Sequence, residues 1–253
     1  FVLSGFVLYP QLLKVIDKKN NLLIFYKRRW MRTLPLYFLI LILVSILTNQ
    51  FFNIDFLKYL FLIQKIAPNF IDNDYYPVAW SLSIEELFYL LFPLLLIFLN
   101  SQNFLKISIL LFFFILFMKF FLSNNFDANF YRTSTFLRFD AILFGFIVSH
   151  FKIEILKHKK KILFFTIIFA IIFLFGYDFF TINKINSNNR FLFIVFMQLS
   201  SCLTLFSFIL LEPLMKSVKL KKLSLLISQQ TYSIYLFHII IIYIFNKTEL
   251  SIY

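Results

Sequence analysis

Apolar residues in this chain come in long unbroken blocks rather than alternating with polar ones. Blocks at 1–13, 34–52, 82–99, 104–122, 136–150, 162–180, 191–213 and 231–246 read as eight helical spans. A hydrocarbon core about 30 Å thick needs roughly 17–25 helical residues to cross it. Barrel strands would instead show alternating segments of about ten residues. A shorter run, FLKYLFLIQKIA at 56–67, carries Lys58 and Lys65 and is too brief to cross, so it is expected along the interface.

The basic residues test this parse. Loops 14–32, 151–161 and 214–230 hold 16 of the 25 Lys and Arg, whereas 53–79, 123–135, 181–190 and 247–253 hold 6. The two groups alternate along the chain, as eight crossings require, and the basic excess marks the first group as cytoplasmic. The 53–79 loop, with Asp55, Asp72 and Asp74, then faces outside. Lys106, Lys119 and Arg138 fall within spans.

Composition agrees. Hydrophobic residues make up 61% of the 253 positions, mean hydropathy is +0.84 and there are 40 Phe, which describes a polytopic all-α membrane protein. No linker, charge block or repeat divides residues 1–253, so one integral membrane domain is expected. The net charge of +13 could suit a nucleic-acid binder, but its placement at helix ends removes that partner. Cys202 is the only cysteine, which excludes an internal disulfide or thiolate metal site. No cluster of His, Cys and carboxylate has metal spacing, and the phosphate-loop, dinucleotide, serine-hydrolase and zincin motifs are absent.

Polar residues in apolar surroundings are the candidates for chemistry. In FYKRRWMRTLPLYF, Arg29 and Arg32 are three apart and share a helix face, and Pro35 suits the first turn of the following span. Free amides at that helix start and guanidinium forks together would grip a phosphate. The alternative is positive-inside anchoring, which is the reading for Lys14, Lys18, Lys19 and Lys27. In WSLSIEELFYLLFP, Ser81, Glu85, Phe88 or Tyr89, and Phe92 share a face, while Glu86 is turned away by about 100°. With Trp80 at the outer interface, Glu85 lies about 7–8 Å deeper and needs a partner. It could act as a general base, orient a histidine, pair with an arginine, or hydrogen-bond two helices together. Arg138 or Asp140 in TFLRFDAILFG is the expected partner; otherwise these two snorkel to the interface. His238, three residues after Tyr235, is either a structural hydrogen bonder or a proton carrier. His150 is placed at the inner interface and His158 in a solvated loop.

Taken in order, FVLSGF at 1–6, RRWMRTLP at 28–35, WSLSIEELFYLLFP at 80–93, RFDAILFG at 138–145 and TYSIYLFH at 231–238 resemble the acyltransferase 3 family of bacterial membrane O-acyltransferases. The resemblance implies a bundle of about ten helices in the bacterial inner membrane. It implies transfer of an acyl group other than aminoacyl, commonly acetyl, from acyl-CoA as co-substrate to a hydroxyl of a cell-envelope glycan or lipid-linked sugar. No tightly bound cofactor is implied. On this likeness Arg28, Arg29 and Arg32 contact the CoA donor and Glu85 is catalytic. Ser4, Gly5, Trp80, Ser81, Tyr89, Arg138, Asp140, Tyr235 and His238 line the cavity or support it.

The family's general-base histidine belongs to a helix ahead of the serine-glycine element, and His238 matches a different position. The chain opens on Phe1 with a span of about 13 residues, and a further helix usually follows the last motif. The expectation is therefore a fragment lacking the first and the last helix, inactive alone. The rival expectation is a transporter or flippase of a lipid-linked sugar or anion, its buried ionisable groups lining a path.

Overall fold

The computed structural model describes residues 1–17, 21–96, 101–123, 128–182, 187–211 and 218–247. Lys18, Lys19, the ends of the 82–99 and 191–213 spans, and parts of the 123–135, 181–190, 214–230 and 247–253 loops lie outside them. Among the described residues there are eleven helices and no strand. They are α1 (Val2–Asp17), α2 (Asn21–Leu47), α3 (Ile54–Leu60), α4 (Ala79–Leu96), α5 (Ser101–Leu122), α6 (Ala128–Thr133), α7 (Phe139–His150), α8 (Lys152–Lys157), α9 (Lys159–Ile182), α10 (Ser187–Leu211) and α11 (Val218–Lys247).

Each predicted span falls on a helix, two of them (α1 and α7) short, and the protein is an all-α, multi-pass membrane bundle. Four described helices are long and apolar enough to cross by themselves: Asn21–Leu47, Asn103–Leu122, Phe191–Leu211 and Lys221–Phe245. The lipid-facing character shows on α5, where Phe113, Phe114, Phe117, Phe120 and Phe121 all stand exposed.

Three boundaries depart from the sequence reading. α2 begins at Asn21 rather than near 34, so Arg28, Arg29 and Arg32 ride on the helix shaft and Pro35 lies inside it. No glycine or proline stands between 21 and 34 to stop the helix, and it continues through Pro35, which contributes no amide hydrogen bond of its own. α11 likewise starts at Val218 instead of 231, continuing through a segment without Gly or Pro. α7 has 12 residues, about 18 Å of helix, and the rest of the predicted 136–150 span is a turn. The 56–67 run is helical as α3 up to Leu60.

The tightest packing is the crossing of α1 on α7, where Gly5 meets Gly145. A Cβ on Gly5 would stand 2.0 Å from the Ile142 carbonyl oxygen, and one on Gly145 would stand 2.3 Å from that of Val2. Lipid tails are as apolar as leucine, so helices in a bilayer associate through close backbone approach rather than through the hydrophobic effect. Two of the chain's three glycines are used for this contact. Beside it Phe88, Phe92, Phe104 and Phe146 form a ring-on-ring core, with Phe88 and Phe92 stacked at 4.6 Å.

Connectivity defines two ends. One carries Arg28 to Arg32 and the α7–α9 turn; the other carries loop 48–78 and the 134–138 turn, tied together where Thr135 N donates to the Lys65 carbonyl at 3.1 Å.

Candidate functional site

The α1–α7 crossing fixes α1 against α4 at the level of Ser4. Its hydroxyl donates to Glu85 Oε1 at 2.5 Å, and Tyr89, one turn along α4, donates to Oε2 at 3.1 Å. Glu85 is thus held by two hydroxyls rather than by Arg138 or Asp140, the partners expected from sequence. Its neighbour Glu86 points to α2, where the Thr33 hydroxyl donates to Oε1 at 2.6 Å. The face shared by Ser81, Glu85, Tyr89 and Phe92 in sequence is divided in space. Glu85 and Tyr89 turn to a cavity, and Phe88 and Phe92 enter the aromatic core.

Three cavities adjoin along the bundle. The first, about 400 Å³, is lined by Arg28, Arg29, Arg32, Lys14, Gln11 and the α2 start at Asn21. The second, about 230 Å³, contains Ser4, Thr33, Glu85, Tyr89 and Tyr232, and shares Arg29 and Arg32 with the first. The third, about 390 Å³, contains Ser81, Thr231 and Tyr235, and shares Glu85 and Tyr232 with the second. Arg29 is steadied by Gln11, whose Oε1 accepts from Nη2 at 3.2 Å, and by the Tyr89 ring, 4.6 Å from its guanidinium carbon. Seven residues along α1 separate Gln11 from Ser4, so the arginine level and the Glu85 level are about 10 Å apart.

At the third cavity Tyr235 donates to the Val78 carbonyl at 3.1 Å, which leaves the Ser81 hydroxyl to donate to Tyr235 across 2.7 Å. Tyr232 donates to the Thr33 carbonyl at 2.9 Å, pinning α11 to α2. His238 bonds the Tyr235 carbonyl through Nδ1 at 2.6 Å and lines none of the three cavities. Trp80 packs edge to face on Phe1 at 5.7 Å. Asp140 is fully buried and engaged elsewhere: Lys119 Nζ at 2.5 Å and Gln198 Nε2 at 2.6 Å both reach Oδ2, joining α5, α7 and α10. Arg138 lies beside Phe1, its guanidinium carbon 5.8 Å from the ring. His150 pairs with the Tyr9 hydroxyl at 2.7 Å.

The family model described as an acyltransferase domain, acyltransferase 3, matches residues 1–252. The chain belongs to the acyltransferase 3 family. This acyltransferase is also 30% identical over 196 residues to an uncharacterized protein of Haemophilus influenzae, covering 64% of the present chain and 79% of the relative. No solved structure matches it.

Several residues that line or brace these cavities and the helices around them were not singled out from sequence. Thr33 follows Arg29 by four residues and Tyr232 precedes Tyr235 by three, so helical spacing could have brought both in. Lys119 carried the plainest signal, because an amine deep in a span requires a partner. At the loop end, Asp55 is buried and receives Lys58 Nζ at 2.9 Å and the amides of Asp72 and Asn73 at 3.1 and 2.9 Å. Burial pushes its carboxyl up, but those hydrogen bonds and the Lys58 charge outweigh it and hold the group below the ordinary carboxylate range. Tyr59 is pushed far above a normal phenol by burial and by Asp74, to which it donates at 2.5 Å.

Proposed function

We propose that this membrane acyltransferase moves an acyl group, acetyl in the simplest case, from acyl-CoA to a hydroxyl of a cell-envelope glycan or lipid-linked sugar in the bacterial inner membrane. The observation that supports this is the sharing of residues between cavities. Arg29 and Arg32 line both the basic cavity and the one holding Glu85, so a donor whose phosphates rest on the arginines can extend its thioester toward the carboxylate. Guanidinium forks suit phosphate oxygens, and Arg28 and Lys14 add charge at the entrance.

In this reading the acceptor enters from the opposite end through the cavity of Ser81 and Tyr235. Its hydroxyl oxygen attacks the thioester carbonyl, a C–O bond forms, the C–S bond breaks, and the thiolate leaves to be protonated as CoA thiol. The base that takes the hydroxyl proton is the histidine family members carry ahead of the serine-glycine element, and Glu85 orients it. Glu85 suits that role because Ser4 and Tyr89 fix both of its oxygens.

Three cavities reaching from one end toward the other would also suit passage of a lipid-linked sugar, the second reading. Radiolabelled acetyl-CoA, given to membranes holding the protein expressed from its complete reading frame, separates the two. Label in glycan identifies the enzyme, and movement of unlabelled sugar alone identifies the transporter. Arg32→Ala should raise KM for acetyl-CoA and Glu85→Gln should lower kcat, each about a hundredfold. Unchanged transfer in the double variant would remove both assignments.

A further inference from the structure

Beyond Glu85, the end that carries loop 48–78 holds polar groups that the acyl-transfer chemistry leaves unused. Arg132 and Arg138 lie over the rings of Trp80 and Phe1, at 6.0 and 5.8 Å, and those rings touch each other. Two guanidiniums and two aromatic faces therefore make one patch. Phe1 precedes Ser4 by three residues and Trp80 precedes Glu85 by five, so the patch stands about 5–8 Å beyond the Ser4–Glu85 bond.

Its surroundings contain buried groups that want a ligand. Gln64 is 1% exposed and neither atom of its side-chain amide has a partner. Thr135 is fully buried with its hydroxyl unpaired, and Arg138 Nε is buried and unpaired as well. These three are neighbours. Thr135 N bonds the carbonyl of Lys65, next to Gln64, and Arg138 N bonds the carbonyl of Ser134 at 3.2 Å, next to Thr135.

Buried polar side chains are ordinarily satisfied, and a group of them without partners calls for something to bond. A guanidinium fork matches phosphate or carboxylate, an amide and a hydroxyl match sugar hydroxyls, and aromatic rings match the C–H face of a pyranose. We propose that this patch is the acceptor subsite and takes a saccharide bearing a phosphate or carboxylate. Its part in transfer rests on the acyl-transfer reading above; its binding does not.

The test is binding in nanodiscs of phosphatidylcholine, followed by the fluorescence of Trp80 in a Trp30→Phe background, which leaves Trp80 as the single remaining tryptophan. Glucose 1-phosphate or glucuronate should give a saturable change, with neutral methyl glucoside at least tenfold weaker. Arg138→Gln and Gln64→Leu should each raise Kd tenfold or more, with Arg138→Lys recovering part of the loss. Gln64→Leu decides the matter if Arg138→Gln does not fold. Equal binding of charged and neutral sugars, no saturation with either anion, or an unchanged Kd in Gln64→Leu overturns the proposal. Discs of phosphatidylglycerol supply the other source of phosphate: if that lipid alone shifts Trp80 and blocks the sugars, the patch holds a headgroup and the saccharide assignment fails. Retained sugar binding with no acetyl transfer would remove the enzyme reading and leave this one standing.

Discussion

Replacing Gly5 by alanine tests whether the α1–α7 crossing positions Glu85. In an isolated helix the change is favourable by about 1 kcal/mol, because alanine is the better helix former. Here the new Cβ would stand 2.0 Å from the Ile142 carbonyl oxygen, while ordinary contact begins near 3.4 Å. α1 must draw back by about 1.4 Å from those two values, and the obstacle is backbone, which cannot rotate away. Overpacking of this kind costs about 1–3 kcal/mol. The Ser4–Glu85 bond, at 2.5 Å, can lengthen by only about 0.5 Å before it leaves the O–H···O range. A shift of this size in the residue next to Ser4 therefore breaks it. The expected result is a melting temperature several degrees lower in detergent, with acyl transfer reduced about a hundredfold. Gly145→Ala should behave alike, and the double variant should lose less than the sum, since one retreat of α1 relieves both contacts. A Gly5→Ala protein that melts higher and transfers at the normal rate would refute the reasoning.

Two further outcomes follow from buried charge. Lys119→Met leaves Asp140 without its cation inside the bundle and should destabilise it by about 3–5 kcal/mol, whereas Lys119→Met with Asp140→Leu should recover most of that loss; equal melting of wild type and the single variant would show that the pair does not hold α5 to α7. Asp55 has a folded-state pKa below its unfolded value, so its contribution is full above about pH 4 and disappears as pH falls through the folded value. Asp55→Asn should therefore melt below wild type at pH 5–7 and converge with it under stronger acid, and a constant gap across that range would contradict the assignment.

The spans were readable because a bilayer imposes their length and their lack of charge. Their starts were less so: Arg28 to Arg32 looked like a loop because basic residues mark helix ends, yet nothing between 21 and 34 breaks a helix. The partner of Glu85 was misjudged for a different reason. Sequence places Arg138 at a compatible depth, but lateral position depends on which helices touch, and the meeting of Gly5 with Gly145 brings Ser4 to the carboxylate instead. Depth is a one-dimensional property of the chain, whereas azimuth is decided by neighbours. The Lys119–Asp140 pair shows the same limit, since each residue announces a need without naming who meets it.

The three cavities meet at two necks of opposite charge, one framed by Arg29 and Arg32 and the other by Glu85. A continuous water thread through such a bundle would short-circuit the ion gradients that the host membrane maintains. Liposomes carrying the protein should accordingly hold a pH gradient as well as empty ones, even while each reactant can be admitted from its own face.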